Sequence, residues 1–269
     1  MLLIAALSQK GGVGTSTIAR LVARTYAAAG WKVKIADFHA KQMTSVAWNR
    51  IRLAAGIEPG LSAEVFGNVN TALRQSEYDL MVFDGCSTAK STTLKIAKVA
   101  HLVLIPITAS RDDLIPQIRF ATELREHGVP KQSMLLVING ISDAGTRSYA
   151  LRSELQSMGY DVAETSLPMR TAYGAALNSG RALSETASSS LNNKAESLMV
   201  EIAAKLSQES AAHPRSSVSQ INKSLNFLVS EGFHRRFKVE AVRRHLSMKD
   251  MLYLMFEDWI RENPATTDR

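Results

Sequence analysis

The feature that most limits the fold of this chain is a repeated alternation. Five short runs, LLIAALS (2–8), KVKIADF (32–38), DLMVFDG (79–85), HLVLIPI (101–107) and MLLVING (134–140), are almost continuously apolar, and longer stretches with helical spacing lie between them. A strand solvated on one face alternates polar and apolar residues. A near-continuous run predicts instead a strand covered on both faces, as in a parallel sheet. Between the first two runs, Ile18, Leu21, Val22 and Tyr26 fall at i, i+3, i+4 and i+8, and Gly30 supplies a stop for that helix. The pattern predicts an α/β fold, a parallel sheet with helices on both faces, and ligands at the carboxyl ends of the strands.

The chain has 269 residues, 45% of them apolar, enough for one large α/β domain plus an appendage. Residues 192–206 read as a closing helix. The Ser-rich SQESAAHPRSSVSQ (207–220), with Pro214 and no apolar period, reads as a flexible linker. The expected layout is a domain over 1–208, a linker over 209–221 and a small unit over 222–264. No run of eighteen apolar residues is present, which excludes a membrane-spanning helix of ordinary length. The start MLLIAALSQK lacks a basic leader and a small-residue cleavage site, so it reads as a first strand rather than a signal peptide. The single Cys86 excludes an internal disulfide and fits a reducing compartment. These readings predict a cytoplasmic protein without a membrane partner. The net charge is +7, and residues 213–249 hold eight Lys or Arg against two Glu, which reads as a solvated face or as a surface for DNA.

The stretch SQKGGVGTST (8–17) lies between the first strand and the first helix. Glycines there let successive amides turn toward an anion at the positive end of a helix. Gly11, Gly12, Val13, Gly14, Thr15, Ser16 and Thr17 are the candidate phosphate cradle, and the Ser16 hydroxyl is placed to meet Mg²⁺. Asp37 and Asp84 close their strands at the same edge and are candidate Mg²⁺ ligands with Ser16. The alternatives are a tight turn without ligand and solvated strand-end carboxylates.

SQKGGVGTST resembles the deviant Walker A motif of the ParA/MinD partition ATPases, commonly K-G-G-V-G-K-T-T. ADFHAKQMTSVAWNR (36–50), YDLMVFDG (78–85), LIPITASRDDL (104–114) and LPMRTAYGAALNSGRALSE (167–185) are similar to further motifs of that family, in the same order, over about the first 205 residues. The resemblance implies a P-loop NTPase fold, ATP or ADP with Mg²⁺, and a nucleotide-sandwich dimer. Lys10 would reach the partner's phosphates, Asn139 would recognise adenine, and Arg170 would contact DNA. Two departures bear on catalysis. Thr15 stands at the family's phosphate-binding lysine, and His39 at the switch I aspartate that positions the attacking water. Loss of a charge-assisted bond is worth about 1.5–3 kcal/mol, about ten- to a hundredfold in affinity. Lys10 and His39 remain the candidate catalytic residues, and whether the chain hydrolyses ATP stays open.

In NKSLNFLV (222–229) polar and apolar residues alternate, which predicts a strand. SEGFHRRFKVEAVRRH reads as one helix and SMKDMLYLMFEDWIREN as a second, with Ser247 and Asp250 resembling a capping box. A single strand with two helices leaves too much apolar surface for a monomer. This unit resembles the ribbon-helix-helix domain of ParG-type partition partners. The resemblance implies a homodimer or higher homo-oligomer that lays a two-stranded ribbon in the DNA major groove. Ser224, Asn226 and Leu228 would face bases, Lys223 a phosphate, and the amides of Ser247 and Met248 would anchor another phosphate. A helical dimerisation tail is the plainer alternative. The leading expectation is a ParA-like DNA partition protein fused to its own DNA-binding adaptor. The others are a transcriptional regulator or DNA-transfer accessory whose ParA-like part is a pseudo-ATPase used for dimerisation, and an active ATPase in which Lys10 takes over the phosphate contact.

Overall fold

The computed structural model describes residues 1–40, 42–86, 90–142, 145–212, 233, 237, 239 and 248–262. The chain divides into two units, Met1–Ser216 and Ser217–Arg269. In the first unit, the described residues form one seven-stranded sheet. Its strands are β1 (Leu2–Ala6), β2 (Val33–Asp37), β3 (Ser62–Val65), β4 (Leu80–Asp84), β5 (Leu102–Ile107), β6 (Met134–Ile141) and β7 (Leu167–Pro168). Their order is β3-β2-β4-β1-β5-β6-β7, with all pairs parallel. Among the described residues of this unit, eight α-helices connect or close the strands: α1 (Thr15–Ala28), α2 (Thr44–Ala54), α3 (Val69–Leu73), α4 (Lys90–Val99), α5 (Arg111–Glu126), α6 (Thr146–Ser157), α7 (Thr171–Asn178) and α8 (Ser189–Ala212).

The continuous apolar runs follow from coverage on both faces. Leu3, Ala5 and Leu7 enter one core layer with Phe38, Phe83 and Ile105. Ile4 and Ala6 enter the other, against Ile18, Leu21 and Val22 of α1. Successive strand residues thus alternate between two dry layers rather than between core and water. The helix expected after the first strand is α1, and Gly30 adopts φ +85° beyond its end.

Two strands, β3 and β7, have no counterpart among the apolar runs. β3 reads SAEV and is only partly buried, and β7 has two residues. Both lie at sheet edges; β3 is mixed in polarity, and β7, though buried, is too short to give an apolar run. The closing helix is also longer than its apolar period. It continues through residues 207–212, part of the stretch that composition assigns to the linker. Those Ser, Gln, Glu and Ala residues are adequate helix formers, so the helix does not need an apolar period to go on.

The order of the strands positions the site. β4 lies between β1 and β2, with Ala6 opposite Asp84 and Asp37 opposite Asp84. The end of β1, from which the Gly-rich loop leaves, therefore sits beside both aspartates. Among the described residues, no helix is long and apolar enough to cross a membrane.

Candidate nucleotide and metal site

The loop after β1 turns through Gly12 at φ +85° and Gly14 at φ +102°. Gly14 is fixed by space as well as by backbone: a Cβ there would lie 2.0 Å from Asn139 Nδ2. That amide nitrogen donates to the Val13 carbonyl at 2.8 Å. Asn139, expected at an adenine, here braces the loop from the end region of β6. α1 opens at Thr15 with no side-chain cap and no acidic residue in its first turn. Its leading amides thus lack both a capping acceptor and a repelling charge, as an anion site requires.

Thr15 is turned inward. Its Oγ1 donates to Ser8 Oγ at 2.9 Å, and Ser8 Oγ donates to the Lys10 carbonyl at 2.8 Å. Its hydroxyl thus ties the loop to the strand end, which a short β-branched side chain at the helix start can reach. Lys10 forms an ion pair with Asp113 and donates to the Asp112 carbonyl at 3.1 Å. Asp113 also accepts from Thr108 Oγ1 at 2.7 Å. Hydrogen bonding from Lys10 and then Thr108 holds the Asp113 carboxyl below its ordinary range. The start of α5 thus holds Lys10 within its own chain. Buried Gln117 of α5 accepts from the Gln9 amide at 2.9 Å and donates to the Pro106 carbonyl at 2.7 Å.

The carboxylates form a closed cluster. Asp37 and Asp84 are both 0% exposed. Ser16 Oγ donates to Asp84 Oδ1 at 3.0 Å, and Ser45 Oγ donates to Asp84 Oδ2 at 2.6 Å. Asp37 Oδ2 accepts the amides of Ser45 at 2.8 Å and Val46 at 3.2 Å, and Asp37 Oδ1 accepts the His39 amide at 2.8 Å. Burial opposes ionisation of Asp37, but hydrogen bonds from His39, Val46 and Ser45 outweigh it, and its pKa falls. For Asp84, burial dominates and pushes the carboxyl up, against the attraction of His39 and the hydroxyls of Ser45 and Ser16. The His39 imidazole is raised, first by the neighbouring Asp37 carboxylate, with burial opposing and Asp84 adding to the rise.

Ser45 is a residue that sequence reasoning misses, yet it touches both carboxylates and accepts from Arg20 Nε at 3.2 Å. Its only sequence signal is its place in the first turn of the helix that follows Asp37. Arg20 carries a clearer one, a cation between Ile18 and Leu21 on the apolar face of α1. It is buried, packs over Trp48 at 5.5 Å from the ring centroid, and has a pKa lowered by burial against the pull of Asp84 and Asp37. Arg170 is exposed at the N-cap of α7. Lys223, Ser224, Asn226, Leu228 and Ser247 lie outside the described residues. Met248 begins the helix Met248–Glu262, the second helix expected in the C-terminal unit.

The loop glycines, the uncapped first turn and the pairing of Ser16 with Asp84 fit a phosphate group and Mg²⁺. The charge fits less well, because Thr15 supplies none and Lys10 is engaged with Asp113. Comparison with solved structures gives the fold directly. The chain is similar to the ATP complex of a point variant of McdA from Cyanothece, with TM-score 0.58 and 17% identity over 76% of this chain and 96% of that one. The fold is that of the ParA/MinD ATPases. A putative plasmid partition protein of Borrelia burgdorferi B31 bound to AMPPNP matches with TM-score 0.58 and 15% identity, covering 76% of this chain and 99% of that one. MinD from Pyrococcus horikoshii OT3, complexed with Mg-ADP, matches with TM-score 0.58 and 13% identity over 77% and 97%. No protein-family model matches the sequence, and no curated protein does so. At these identities the ParA/MinD likeness establishes architecture, and the roles of the residues rest on the local geometry.

Proposed function

We propose that this chain is a cytoplasmic ParA-like DNA segregation protein that binds Mg-nucleotide at the Gly-rich loop and DNA through its own C-terminal unit. One observation carries the nucleotide reading: the strand register brings Asp37 and Asp84 beside the loop, and Ser16 of that loop already hydrogen-bonds Asp84. In this reading the amides of residues 11–17 hold phosphate, and Ser16, Asp37 and Asp84 hold Mg²⁺, which supplies charge neutralisation. Lys10 must leave Asp113 before it can meet a phosphate. Thr15 offers no replacement charge, and His39 stands where an aspartate would orient water. Binding is accordingly weak, and hydrolysis is slow or absent.

The C-terminal unit, residues 222–264 in this reading, is a ribbon-helix-helix dimer. Lys223, Ser224, Asn226 and Leu228 meet DNA from the ribbon, Ser247 and Met248 anchor a phosphate, and Arg170 adds a contact from the ParA-like domain. Its support is the helix Met248–Glu262 at the expected place, with Leu254 52%, Met255 50% and Phe256 57% exposed. A helix with such apolar side chains in water gains stability by covering them with a second copy. A second reading, a DNA-binding regulator whose ParA-like domain serves dimerisation, is favoured by the inward turn of the Thr15 hydroxyl.

DNA footprinting with the full chain and its Asn226→Ala variant tests the adaptor. The expected result is a protected, sequence-specific site that the variant loses or relaxes, since one bidentate base contact is worth about 1–3 kcal/mol. Equal affinity and equal sequence preference in the variant would remove the ribbon.

A further inference from the structure

His39 does more than interrupt a familiar pattern. Its Nδ1 is buried and has no hydrogen-bond partner. It lies 3.4 Å from Asp37 Oδ1 and 3.7 Å from Asp84 Oδ1, close enough to attract both carboxylates but not aligned as a hydrogen bond to either. Protonated, this nitrogen pairs with both carboxylates; deprotonated, its lone pair converges with theirs on one space, as the donors of a cation site do. The three donor atoms, one from each residue, lie within 4.8 Å of one another.

The two distances from His39 Nδ1, 3.4 and 3.7 Å, lie close to those between donors on one small metal ion. Metal–ligand bonds of about 2.0–2.2 Å at tetrahedral angles separate neighbouring donor atoms by about 3.3–3.6 Å. The outer supports are also in place. The second oxygen of Asp37 is fixed by the amides of Ser45 and Val46, and that of Asp84 by the Ser45 hydroxyl, the kind of bracing that orients metal-binding carboxylates. Two carboxylates and one imidazole form a donor set suited to borderline divalent metals, whereas Mg²⁺ favours oxygen alone at octahedral geometry.

We propose that Asp37, His39 and Asp84 bind a divalent transition-metal ion of the Zn²⁺ or Co²⁺ class, through Asp37 Oδ1, His39 Nδ1 and Asp84 Oδ1. The imidazole binds as the neutral tautomer with its proton on Nε2. The ion adds positive charge to two buried carboxylates whose cationic neighbours, as their pKa shifts record, are His39 and Arg20. It needs no nucleotide, so the site stands whether or not the loop binds ATP.

The test is a Co²⁺ titration of the tag-free, nucleotide-free full chain, followed by visible absorption. The expected result is saturation at one equivalent, with the intense bands of four-coordinate Co²⁺, and their loss on adding Zn²⁺. His39→Ala weakens Co²⁺ binding by about tenfold or more, as expected for loss of a ligand beside braced carboxylates. His39→Asp, which keeps a ligand at this position, loses the tetrahedral spectrum and narrows the preference for Co²⁺ over Mg²⁺. Thermal unfolding of both variants without metal checks that they fold. Absence of the Co²⁺ bands in the wild type, or equal affinity in a folded His39→Ala variant, would overturn the proposal.

Discussion

Asp37 and Asp84 are wholly buried, and hydroxyls and amides from α1, α2 and His39 already hold their oxygens. On the phosphate side of the same site, Thr15 turns its hydroxyl back to Ser8, and Lys10 is drawn to the start of α5. The difference shows which parts the fold can spare. The carboxylates are joined to the core, so removing either would orphan several donors. In the proposed reading a lysine at position 15 would serve the ligand rather than the core, and the Thr15 hydroxyl is satisfied by Ser8. In the proposed reading, the charge for nucleotide is dispensable to the fold while the cation-binding carboxylates are not.

The largest way to break this contrast is through the frame of the carboxylate half. α2, which carries Ser45, is held at its other end by Arg52, fully buried and bonded to Glu185 through both Nη1 at 2.7 Å and Nη2 at 3.0 Å. Arg52→Ala should cost about 3–5 kcal/mol in a urea unfolding titration, because it removes the two-point partner of a largely buried carboxylate and leaves it only Arg24 and the Ala182 amide. Burial pushes the Glu185 carboxyl up, but hydrogen bonds from Arg52 and the Ala182 amide, with the charges of Arg52 and Arg24, bring it below its ordinary 4.5. Its stabilising contribution is therefore complete above about that pH and is lost as pH falls through the lower folded value. Wild-type unfolding curves should lose stability on that acid side, and Glu185→Gln should flatten this part of the profile.

The next effect sharpens the phosphate half. Thr15→Lys restores a charge at the loop and should strengthen ATP binding by about 1.5–3 kcal/mol in calorimetry. Ser45→Ala removes a donor to Asp84 and an acceptor from Arg20. It should cost about 1–3 kcal/mol of stability while leaving the loop unchanged. The smallest effect is expected at Asp113→Asn. The pair it forms with Lys10 is partly open to solvent, with side-chain exposures of 25% and 40%, so stability should change by less than about 1 kcal/mol. A larger loss in the unfolding curve would make Lys10 part of the framework.

Five strands, the loop, Asp37 and Asp84 are legible in the sequence because each is written locally, as an apolar run or as a residue at the end of one. Their convergence follows from the general rule that ligands gather at the carboxyl ends of parallel strands. What the sequence hides is long-range or lies at an edge. Ser45 acquires its role only when β2 and β4 become neighbours, and the partner of Lys10 lies 102 positions away at Asp112 and one further at Asp113. Asn139 stands out in the sequence for another reason, and its contact with Gly14 depends on the approach of β6 to the loop. β3 lacks the buried pattern because an edge does not require it, and β7, though buried, is too short at two residues to register as a run. The last turns of α8 lack an apolar period, and helix propensity carries them past the boundary that composition suggests.

The most direct test is a calorimetric titration of Mg-ATP into the full-length protein, with phosphate release followed on the same sample in the presence and absence of DNA. The geometry of the loop and the carboxylates predicts measurable but weak binding and little or no turnover, with Thr15→Lys binding more tightly. Sustained wild-type turnover, or no binding by either protein, would contradict it.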